Sequence, residues 1–322
     1  MTFNTMDSPR SVTSPTFSIP SVDISSFLVE PSSPEAEIVI SEVRNACMTS
    51  GFFQITGHSI SPALQDAVLE AAKSFFSLPD DEKRKYAGVV GRGYEVIGAQ
   101  ALDPNTKPDI KEGYFVGREV PDRKPPYRAF EHPNIWPTPA IADSQFREPI
   151  LAYHEALCTL AQKVMLILGR GHPGLTQQLL TDFCRDPVAT VRLLHYPPHP
   201  LSNDPDIVGA GAHTDFGAIT LLLQDGQSGL QVLRQDTQTW IDVPPTPHAY
   251  VVNVGDMLDR WTKGRYKSNT HRVINTSGED RYSVPFFFDG NLDFVVMPLG
   301  DDSGLGVTVE QHLRDKYEEV YL

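Results

Sequence analysis

Hydrophobic residues recur at helical spacing in the first half of the chain and at alternate positions in the second half. In the first half, helices are predicted to begin at Ser33 and Ser61, each followed by a proline. Serine caps the first turn of a helix, and proline at the next position loses no hydrogen bond there. The first helix is expected to bury Ile38 and Val39. Strands at residues 19–24 and 52–55 and helices at 80–83, 143–169 and 174–183 complete this α/β half.

The second half of the chain alternates between apolar and polar positions from Val188 onward, as half-buried strands do. Turns rich in Gly, Pro, Asn or Asp separate these segments, which is typical of a sandwich or jelly roll. Strands are predicted at residues 188–195, 218–224, 230–233, 240–243, 249–254, 271–275, 282–288 and 294–297. A last helix follows Thr308, where Gln311 has the spacing of a capping box. The predicted fold is therefore mainly β with flanking helices: a jelly-roll core, an N-terminal α/β region and a C-terminal helix.

Changes in composition divide the chain into segments that are expected to pack as one compact unit. A Ser/Thr/Pro-rich leader without an apolar stretch covers residues 1–17, and an α/β region covers 18–140. A helix and the β core cover residues 141–305, and the C-terminal helix covers 306–322. Within the α/β region, residues 88–98 are dense in glycine and are predicted to form a loop.

The composition excludes several classes of function. A formal net charge of −14 argues against a nucleic-acid partner, because such partners require basic protein surface. No run of about 18 uncharged apolar residues occurs, so no membrane span is expected. Cys47, Cys158 and Cys184 form neither a disulfide framework nor a metal motif. We therefore expect a cytoplasmic protein that acts on a small-molecule substrate, and the sequence leaves its oligomeric state open.

Candidate chemistry is concentrated in the β half. His213 and Asp215 are two positions apart, so an extended chain points both side chains to one side. His271 begins another predicted strand, and two imidazoles with one carboxylate are the ligand set of non-haem Fe(II) oxygenases. A His-x-Asp pair alone is weak, because the chain has ten histidines. Arg281 and Ser283 also share one strand face, and an arginine fork with a hydroxyl suits a carboxylate.

Other motifs carry less information. His195 and His199 are interpreted as loop histidines, because Pro197 and Pro198 exclude the helix that would align them. The glycines at 91 and 93 lack the spacing and the strand–turn–helix context of a nucleotide-binding loop. Neither feature therefore competes with the His/Asp/His set as the centre of function.

Stretches along nearly the whole chain resemble the 2-oxoglutarate/Fe(II) dioxygenases of the isopenicillin N synthase-like family. Residues 19–24 and 51–58 match in the N-terminal region, and His-Thr-Asp-Phe-Gly-Ala-Ile-Thr-Leu-Leu matches at 213–222. Further matches are Asn-Val-Gly-Asp-Met-Leu at 253–258, Lys-Ser-Asn-Thr-His-Arg-Val at 267–273 and Arg-Tyr-Ser-Val-Pro-Phe-Phe at 281–287. Residues 92–95, 98–103 and 109–113 resemble fungal members of the family, which often serve secondary metabolism. The resemblance implies a double-stranded β-helix (jelly roll) with an N-terminal α/β region packed on it.

The resemblance also implies a reaction. The family couples oxidative decarboxylation of 2-oxoglutarate to hydroxylation of a small molecule, or to a related C–H oxidation, desaturation or ring expansion. It assigns the catalytic iron ligands to His213, Asp215 and His271. Fe(II), 2-oxoglutarate as co-substrate and O2 are the implied cofactors, with ascorbate as a candidate reductant. Related halogenases lack the carboxylate ligand, so Asp215 argues against halogenation.

Two further sets of residues follow from the resemblance. The far carboxylate of 2-oxoglutarate is assigned to Arg281 and Ser283, with Tyr196 closing over the co-substrate. The substrate-site candidates are expected around the open face of the iron: Arg192, Tyr94, Phe216 and Phe288. Arg192 would bind an acidic or phenolic substrate, with a salt bridge to one of the many acids as the competing interpretation. Core packing is the competing interpretation for each aromatic residue.

Several functions remain open at this point. The leading hypothesis is an oxygenase that acts on a secondary metabolite such as an aromatic polyketide. An oxidase of the same fold that does not use 2-oxoglutarate and a hydroxylase of free amino acids are alternatives. A small-molecule binder without catalysis is disfavoured by the intact His/Asp/His set. A structural zinc site is least expected, because no cysteine helps to close the coordination shell.

Overall fold

The computed structural model of the protein describes residues 18–89, 91–103, 106–120, 124–199, 207–301 and 304–321. The predicted leader at residues 1–17 lies outside the described residues. The helices of the described part are α1 (Ser25–Val29), α2 (Pro34–Thr49), α3 (Pro62–Phe76), α4 (Asp80–Lys83), α5 (Arg147–Arg170), α6 (Gln177–Phe183), α7 (Asp256–Trp261) and α8 (Val309–Tyr321). Short 3-10 helices at Arg84–Tyr86 and Asp143–Gln145 extend α4 and precede α5.

The strands form two sheets that face each other and one small ribbon. They are β1 (Ser21–Asp23), β2 (Phe52–Thr56), β3 (Gly93–Glu95), β4 (Glu112–Gly117), β5 (Val188–Tyr196), β6 (Ala210–His213), β7 (Ile219–Gln224), β8 (Leu230–Arg234), β9 (Thr239–Asp242), β10 (Tyr250–Val254), β11 (His271–Val273), β12 (Arg281–Gly290), β13 (Val295–Val296) and β14 (Val307–Thr308). The larger sheet has the order β1-β2-β10-β7-β12-β5-β4-β3, and the smaller sheet has the order β6-β11-β8-β9. This pair of sheets is the jelly roll that the sequence predicts.

The N-terminal helices begin where the sequence predicts them. The hydroxyl of Ser33 accepts a hydrogen bond from the Ala36 N–H at 3.1 Å, and Ser61 caps α3 in the same way. Ile38 is 58% exposed, so the prediction that it is buried is wrong. The buried residues of α2 are instead those at positions 36, 39, 40, 43, 46 and 47, which recur every three or four residues along one face of the helix. Position 38 does not belong to this face.

Helices α2, α3 and α5 cover one face of the larger sheet, and their apolar residues form the main core with it. By length and composition, α5 alone among the described helices could cross a membrane. Core helices meet the same criteria, and Tyr153, Leu157 and Met165 of α5 are each fully buried. The apolar character of α5 is therefore explained by its position in the core.

The opposite face of the larger sheet looks toward the smaller sheet and is only partly filled. One small cluster contains Phe52 and Val251 from the larger sheet and Val232 from the smaller one. A second contains Tyr196 from β5 and Val273 from β11. Between these clusters lies a cavity inside the jelly roll, lined by apolar side chains together with polar ones such as Lys111, Asn253 and Arg281.

The glycine-dense segment differs from the prediction of a loop. Residues 93–95 form β3, which pairs with β4 to extend the larger sheet beyond β5. Strand β4 was not predicted, because it is buried on both faces and shows no alternation. Glu112 at its start is buried between the Lys83 ammonium at 2.7 Å and the His195 imidazole at 2.8 Å. His195 therefore lies within strand β5, and its interpretation as a loop histidine is wrong.

Helix α8 begins at the predicted cap. The Gln311 N–H donates to the Thr308 hydroxyl at 3.1 Å. The reciprocal half of the capping box is absent, because the Gln311 side chain donates to Asp315 instead. The His312 imidazole reaches the carbonyl oxygen of Phe216 at 2.8 Å, and Arg128 contacts Glu310 at 2.7 Å. These contacts fix α8 across the open end of the jelly roll.

Candidate active site

The two histidines and the aspartate meet between adjacent strands of the smaller sheet. His213 ends β6, His271 begins β11, and these residues are directly paired in the antiparallel ladder. Asp215 lies two residues beyond β6. Its Oδ1 atom is 3.8 Å from the Nε2 atom of His213 and 3.7 Å from the Nε2 atom of His271. One ligand atom from each residue lies within 4.8 Å of the others, a spacing that could hold a metal ion.

Neighbouring groups determine which atoms point inward. The Oδ2 atom of Asp215 accepts hydrogen bonds from the Thr220 hydroxyl at 2.5 Å and the Asn253 amide at 2.7 Å. The Nδ1 atoms of His213 and His271 face the carbonyl oxygens of residues 211 and 269 at 2.7 and 3.3 Å. Protonated Nδ1 atoms leave both Nε2 lone pairs for a metal. The donor set of two imidazoles and one carboxylate oxygen therefore fits Fe(II).

The surroundings of His213 and Asp215 favour their unprotonated forms. Burial, together with the nearby His271 imidazole, lowers the pKa of His213 to about 3. Burial alone would raise the pKa of Asp215, but the two imidazoles and the hydrogen bonds from Asn253 and Thr220 bring it below its ordinary value. Metal ligands must be deprotonated to bind, so the site is prepared for a cation at neutral pH.

A buried cationic pocket adjoins the His/Asp/His group. Arg281 is fully buried, and its Nη2 atom donates to the Gln224 side chain at 3.0 Å. Among the described residues, its Nε and Nη1 atoms have no hydrogen-bond partner. Arg281 and Tyr196 are directly paired across β12 and β5, and Ser283 lies on the same face two residues later. The unmatched guanidinium edge fits the carboxylate of a bound molecule.

Lys111 is a second cation in this pocket that the sequence prediction missed. It lies one residue before β4 and is paired with the buried Asp109 carboxylate. Burial lowers the pKa of Lys111 to about 8. Asp109 also accepts a hydrogen bond from the Gly211 N–H at 2.9 Å, which ties the pocket to the start of β6. The sequence carried no signal for Lys111, because strand β4 itself was not predicted.

A second pocket opens on the other side of the His/Asp/His group. It has about 600 Å³ of empty space, part of it open to solvent. Phe216, Phe287 and Tyr317 contribute aromatic surface, and Thr190 and Asp289 contribute polar atoms. Burial raises the pKa of Asp289 to about 7, and the negative charge of Asp215 adds to this shift. A small molecule in this pocket would lie directly beside the His/Asp/His group.

The predicted substrate residues divide into two groups. Phe216 and Arg192 line this second pocket. Arg192 forms the salt bridge that was its competing interpretation: its Nη2 atom contacts Glu95 and donates to Gln100 at 2.8 Å. The guanidinium group also stacks on Phe115, with 4.4 Å to the ring centroid. Arg192 therefore enters the pocket with its charge already balanced.

The structure brings neither Tyr94 nor Phe288 to the pocket. The Tyr94 hydroxyl donates to Glu112 at 2.5 Å, and its ring packs in the core. Phe288 is fully buried against Phe183, because it lies on the core-facing side of β12. The alternation of side chains along β12 shows which of its residues face the pocket. Arg281 and Ser283 have odd numbers, so the odd positions 287 and 289 share their face.

Comparison with known proteins gives consistent matches along the chain. The family described as "non-haem dioxygenase in morphine synthesis N-terminal" matches residues 19–139, and the 2OG-Fe(II) oxygenase superfamily matches residues 187–290. The 2-oxoglutarate-dependent dioxygenase citB of Monascus ruber is 44% identical over 324 residues, which covers 96% of this chain and 97% of the relative. The 2-oxoglutarate-dependent dioxygenase tropC of Talaromyces stipitatus is 40% identical over 312 residues, with coverage of 92% and 94%.

A solved structure supports the same comparison. A full-length protein of Neurospora crassa, crystallised in complex with alpha-KG (2-oxoglutarate) and thymine, has a TM-score of 0.81 to this chain. It is 28% identical in sequence, and the match covers 94% of this chain and 96% of the Neurospora protein. The similarity therefore includes both the N-terminal region and the jelly roll.

Proposed function

The chain belongs to the 2-oxoglutarate/Fe(II) oxygenase superfamily and is a 2-oxoglutarate-dependent Fe(II) dioxygenase, and we propose that His213, Asp215 and His271 hold its iron. The observation that carries this proposal is the arrangement of free ligand atoms. One carboxylate oxygen lies within 3.8 Å of two imidazole nitrogens, while the second carboxylate oxygen is engaged by two hydrogen-bond donors. This set leaves coordination positions for 2-oxoglutarate and O2.

We propose that Arg281 and Ser283 bind the far carboxylate of 2-oxoglutarate, with Tyr196 beside it. The support is the buried edge of Arg281, whose Nε and Nη1 atoms have no partner among the described residues. A buried guanidinium group without a counter-ion is costly, so its position favours an anionic ligand. Lys111, paired with Asp109, lines the same pocket. The pocket alone does not distinguish this from an oxidase without that co-substrate, and the similarity to 2-oxoglutarate-dependent dioxygenases favours 2-oxoglutarate use.

The protein contributes positioning, charge balance and exclusion of water. Bound Fe(II) together with 2-oxoglutarate supplies the O2 activation that oxidises a substrate C–H bond, with succinate and CO2 as products. Thr220 and Asn253 hold the Asp215 carboxylate in one orientation. Arg281 fixes one end of the co-substrate, and α8 covers the pocket in which the substrate would lie. These preformed contacts reduce the reorganisation that the reaction would otherwise require.

We propose that the substrate is a small ring-containing metabolite, in fungal secondary metabolism. The aromatic surface around the pocket and the similarity to the Neurospora crassa protein, which was crystallised with thymine, support a compact planar molecule. An aromatic polyketide fits this description, and the curated relatives citB and tropC come from fungi. Hydroxylation, desaturation and ring expansion are all within the chemistry of the family. The three free cysteines support the proposed cytoplasmic location.

Replacement of Asp215 tests the iron site. We expect Asp215→Ala to abolish succinate formation from 2-oxoglutarate, because the variant lacks the only carboxylate of the ligand set. Succinate is measured with Fe(II), 2-oxoglutarate and a panel of small aromatic substrates. Asp242→Ala is the control, because Asp242 is an exposed carboxylate on β9. Succinate formation by Asp215→Ala at a rate near that of the wild type would contradict the assignment.

A further inference from the structure

We propose that Asp289 determines substrate specificity by accepting a hydrogen bond from a hydroxyl or N–H group on a neutral ring. This inference rests on the proposed function and narrows its substrate class. It follows from the position of the carboxylate, from its lack of protein partners and from the charge of the groups around it.

The fold places Asp289 in the wall of the pocket. It lies near the end of β12 on the same strand face as Phe287 and, further along, Ser283 and Arg281. A Cβ atom added at Gly217 would overlap the Asp289 Oδ1 atom. The carboxylate therefore rests directly on the Gly217 backbone, and any side chain at position 217 would displace it. The same loop carries Asp215 and Phe216, so Asp289 lies beside the proposed reaction centre.

Asp289 has no partner in the described part of the chain. It is only 8% exposed, yet neither an ion pair nor a hydrogen bond to its carboxylate is found among the described residues. Most buried polar groups have a protein partner, whereas this carboxylate faces the pocket, part of which is open to solvent. The other buried carboxylates around the jelly roll are satisfied: Asp109 by Lys111, Asp215 by Asn253 and Thr220. The carboxylate of Asp289 is therefore free to accept a hydrogen bond from a ligand in the pocket.

The charges around the pocket limit the ligand class. Arg192, the cation in this pocket, is paired with Glu95 and Gln100 and balances no additional acid. A substrate carboxylate at this end would lie beside a second acid, Asp289, and Arg192 is already paired, so an acidic substrate is disfavoured. Phe216 and Phe287 supply ring surface on either side of the acceptor. A neutral aromatic or heteroaromatic ring with a hydroxyl or N–H group matches all of these features.

Matched pairs of probe molecules test the proposal. The pairs are thymine with 1,3-dimethylthymine and 3-methylphenol with 3-methylanisole, and 3-methylbenzoate is the acidic probe. Binding to wild-type enzyme with Fe(II) and 2-oxoglutarate is measured by calorimetry without O2, and succinate formation is measured with O2. We expect the donor member of a pair to bind at least ~10-fold more tightly than its methylated partner. We expect the acidic probe to bind more weakly than either.

Variants at position 289 separate recognition from structural support. Asp289→Leu should reduce the preference for the donor member to about twofold or less, and Asp289→Asn should retain part of it. Asp289→Asn should also melt at the same temperature as the wild type or higher, because it removes a buried charge. A purely structural aspartate would give a lower melting temperature and an unchanged preference. Asp242→Asn on β9 is the control and should keep the full preference.

The outcomes distinguish the two proposals. If the wild type neither binds 2-oxoglutarate nor forms succinate, the proposed function fails. If it binds 2-oxoglutarate but shows no preference within either pair, or binds none of the probes, the role of Asp289 is overturned and the function stands. A preference that persists in Asp289→Leu also overturns it. Loss of preference in Asp289→Leu with full preference in Asp242→Asn supports it.

Discussion

The two oxygens of Asp215 have different environments, and this difference orients the proposed iron ligand. The Oδ2 atom accepts two hydrogen bonds, from Thr220 on β7 and Asn253 on β10. The Oδ1 atom faces the two histidines. Both donors belong to the larger sheet, while the histidines belong to the smaller one. The larger sheet therefore positions a ligand that the smaller sheet alone would leave free to rotate.

Thr220→Val should weaken iron binding roughly 10-fold, because outer hydrogen bonds to metal ligands typically contribute 10- to 100-fold in affinity. Valine keeps the size and branching of threonine and removes only the hydroxyl group. The dissociation constant is measured by competition titration with Fe(II) in the absence of O2. Thr239→Val on β9, whose hydroxyl contacts only Thr237 in an exposed position, is the matched control. Equal affinities for Thr220→Val and the wild type would contradict the orienting role.

Two-residue spacing predicted that His213 and Asp215 share one side, and likewise Arg281 and Ser283. The pairing of His213 with His271, and of Arg281 with Tyr196, joins distant parts of the chain, and only the family resemblance brought these residues together. Phe288 was predicted for the pocket although it has the opposite parity to Arg281 on β12. Alternation along β12 would have placed Asp289, and not Phe288, on the strand face that carries Arg281 and Ser283. Arg192 lies in the wall of the second pocket, but its salt-bridge partner Glu95 belongs to the hairpin of β3 and β4, which was not predicted.

At the level of elements, His195 connects three neighbouring strands of the larger sheet. It lies near the end of β5, donates to Glu112 on β4 and to Asp280 next to β12 at 2.8 Å each, and stacks on Tyr282. Glu112 is also paired with Lys83 from α4. Burial opposes the charged imidazole, but the two carboxylates outweigh it and raise the pKa of His195 above its ordinary value.

This raised pKa predicts a pH-dependent contribution to stability. The contribution is fully present below the unfolded pKa of histidine, about 6.5, and is lost as the pH rises through the higher folded value. Wild type should therefore exceed His195→Gln in unfolding free energy most clearly near pH 6, and the difference should shrink at higher pH. Denaturant unfolding at several pH values measures it. Asp280→Asn should reduce the pH-dependent part, and a difference that grows with pH would contradict the assignment.

Helix α8 is the element that closes the proposed substrate pocket. Leu313 and Tyr317 line the pocket, and Tyr317 packs against Phe216 and Phe130 with ring centroids 5.8 and 5.2 Å apart. The capping pattern and apolar positions predicted this helix, but the sequence could not show what it covers. That information depends on Arg128, which reaches Glu310 from a segment nearly two hundred residues away.

Ending the chain after residue 308 should uncouple the reaction. We expect substrate-independent succinate formation to rise several-fold and probe binding to weaken, because water enters a pocket that α8 normally covers. Affinity for 2-oxoglutarate should be preserved, since no described side chain of α8 lines the arginine pocket. Ending the chain after residue 317 is the control, because it retains Leu313 and Tyr317. Equal coupling in the two truncated proteins would argue against closure by α8.

For the whole molecule, the active site lies where the two sheets of the jelly roll meet. The proposed iron ligands come from β6, β11 and the adjoining loop, while the co-substrate pocket comes from β5 and β12. The N-terminal region takes part in the same sheet, because β2 pairs with β10 and β4 pairs with β5. Alternating apolar and polar positions in the second half of the chain predicted the jelly roll. The pattern within one strand does not show which distant strand it pairs with, so these pairings were not predicted.

Binding at this junction should therefore stabilise the entire fold. A ligand that binds only the folded chain at 100 times its Kd contributes about 2.7 kcal/mol. With an unfolding entropy of about 2.1 cal/mol/K per residue, this corresponds to a rise in melting temperature of roughly 4 °C for a chain of 322 residues. We expect one such rise for Fe(II) and a further rise when 2-oxoglutarate is added, measured by calorimetric melting without O2.

Arg281→Lys should separate the two contributions to melting temperature. Lysine keeps the positive charge but loses the planar fork that binds a carboxylate through two hydrogen bonds. The increment from Fe(II) should therefore remain, while most of the increment from 2-oxoglutarate should disappear. Arg234→Lys is the control. Arg234 lies on β8 and forms an exposed ion pair with Asp236, so this variant should retain both increments. If Arg281→Lys retained the full 2-oxoglutarate increment, the carboxylate of the co-substrate would have to bind elsewhere, and Lys111 would be the next residue to replace.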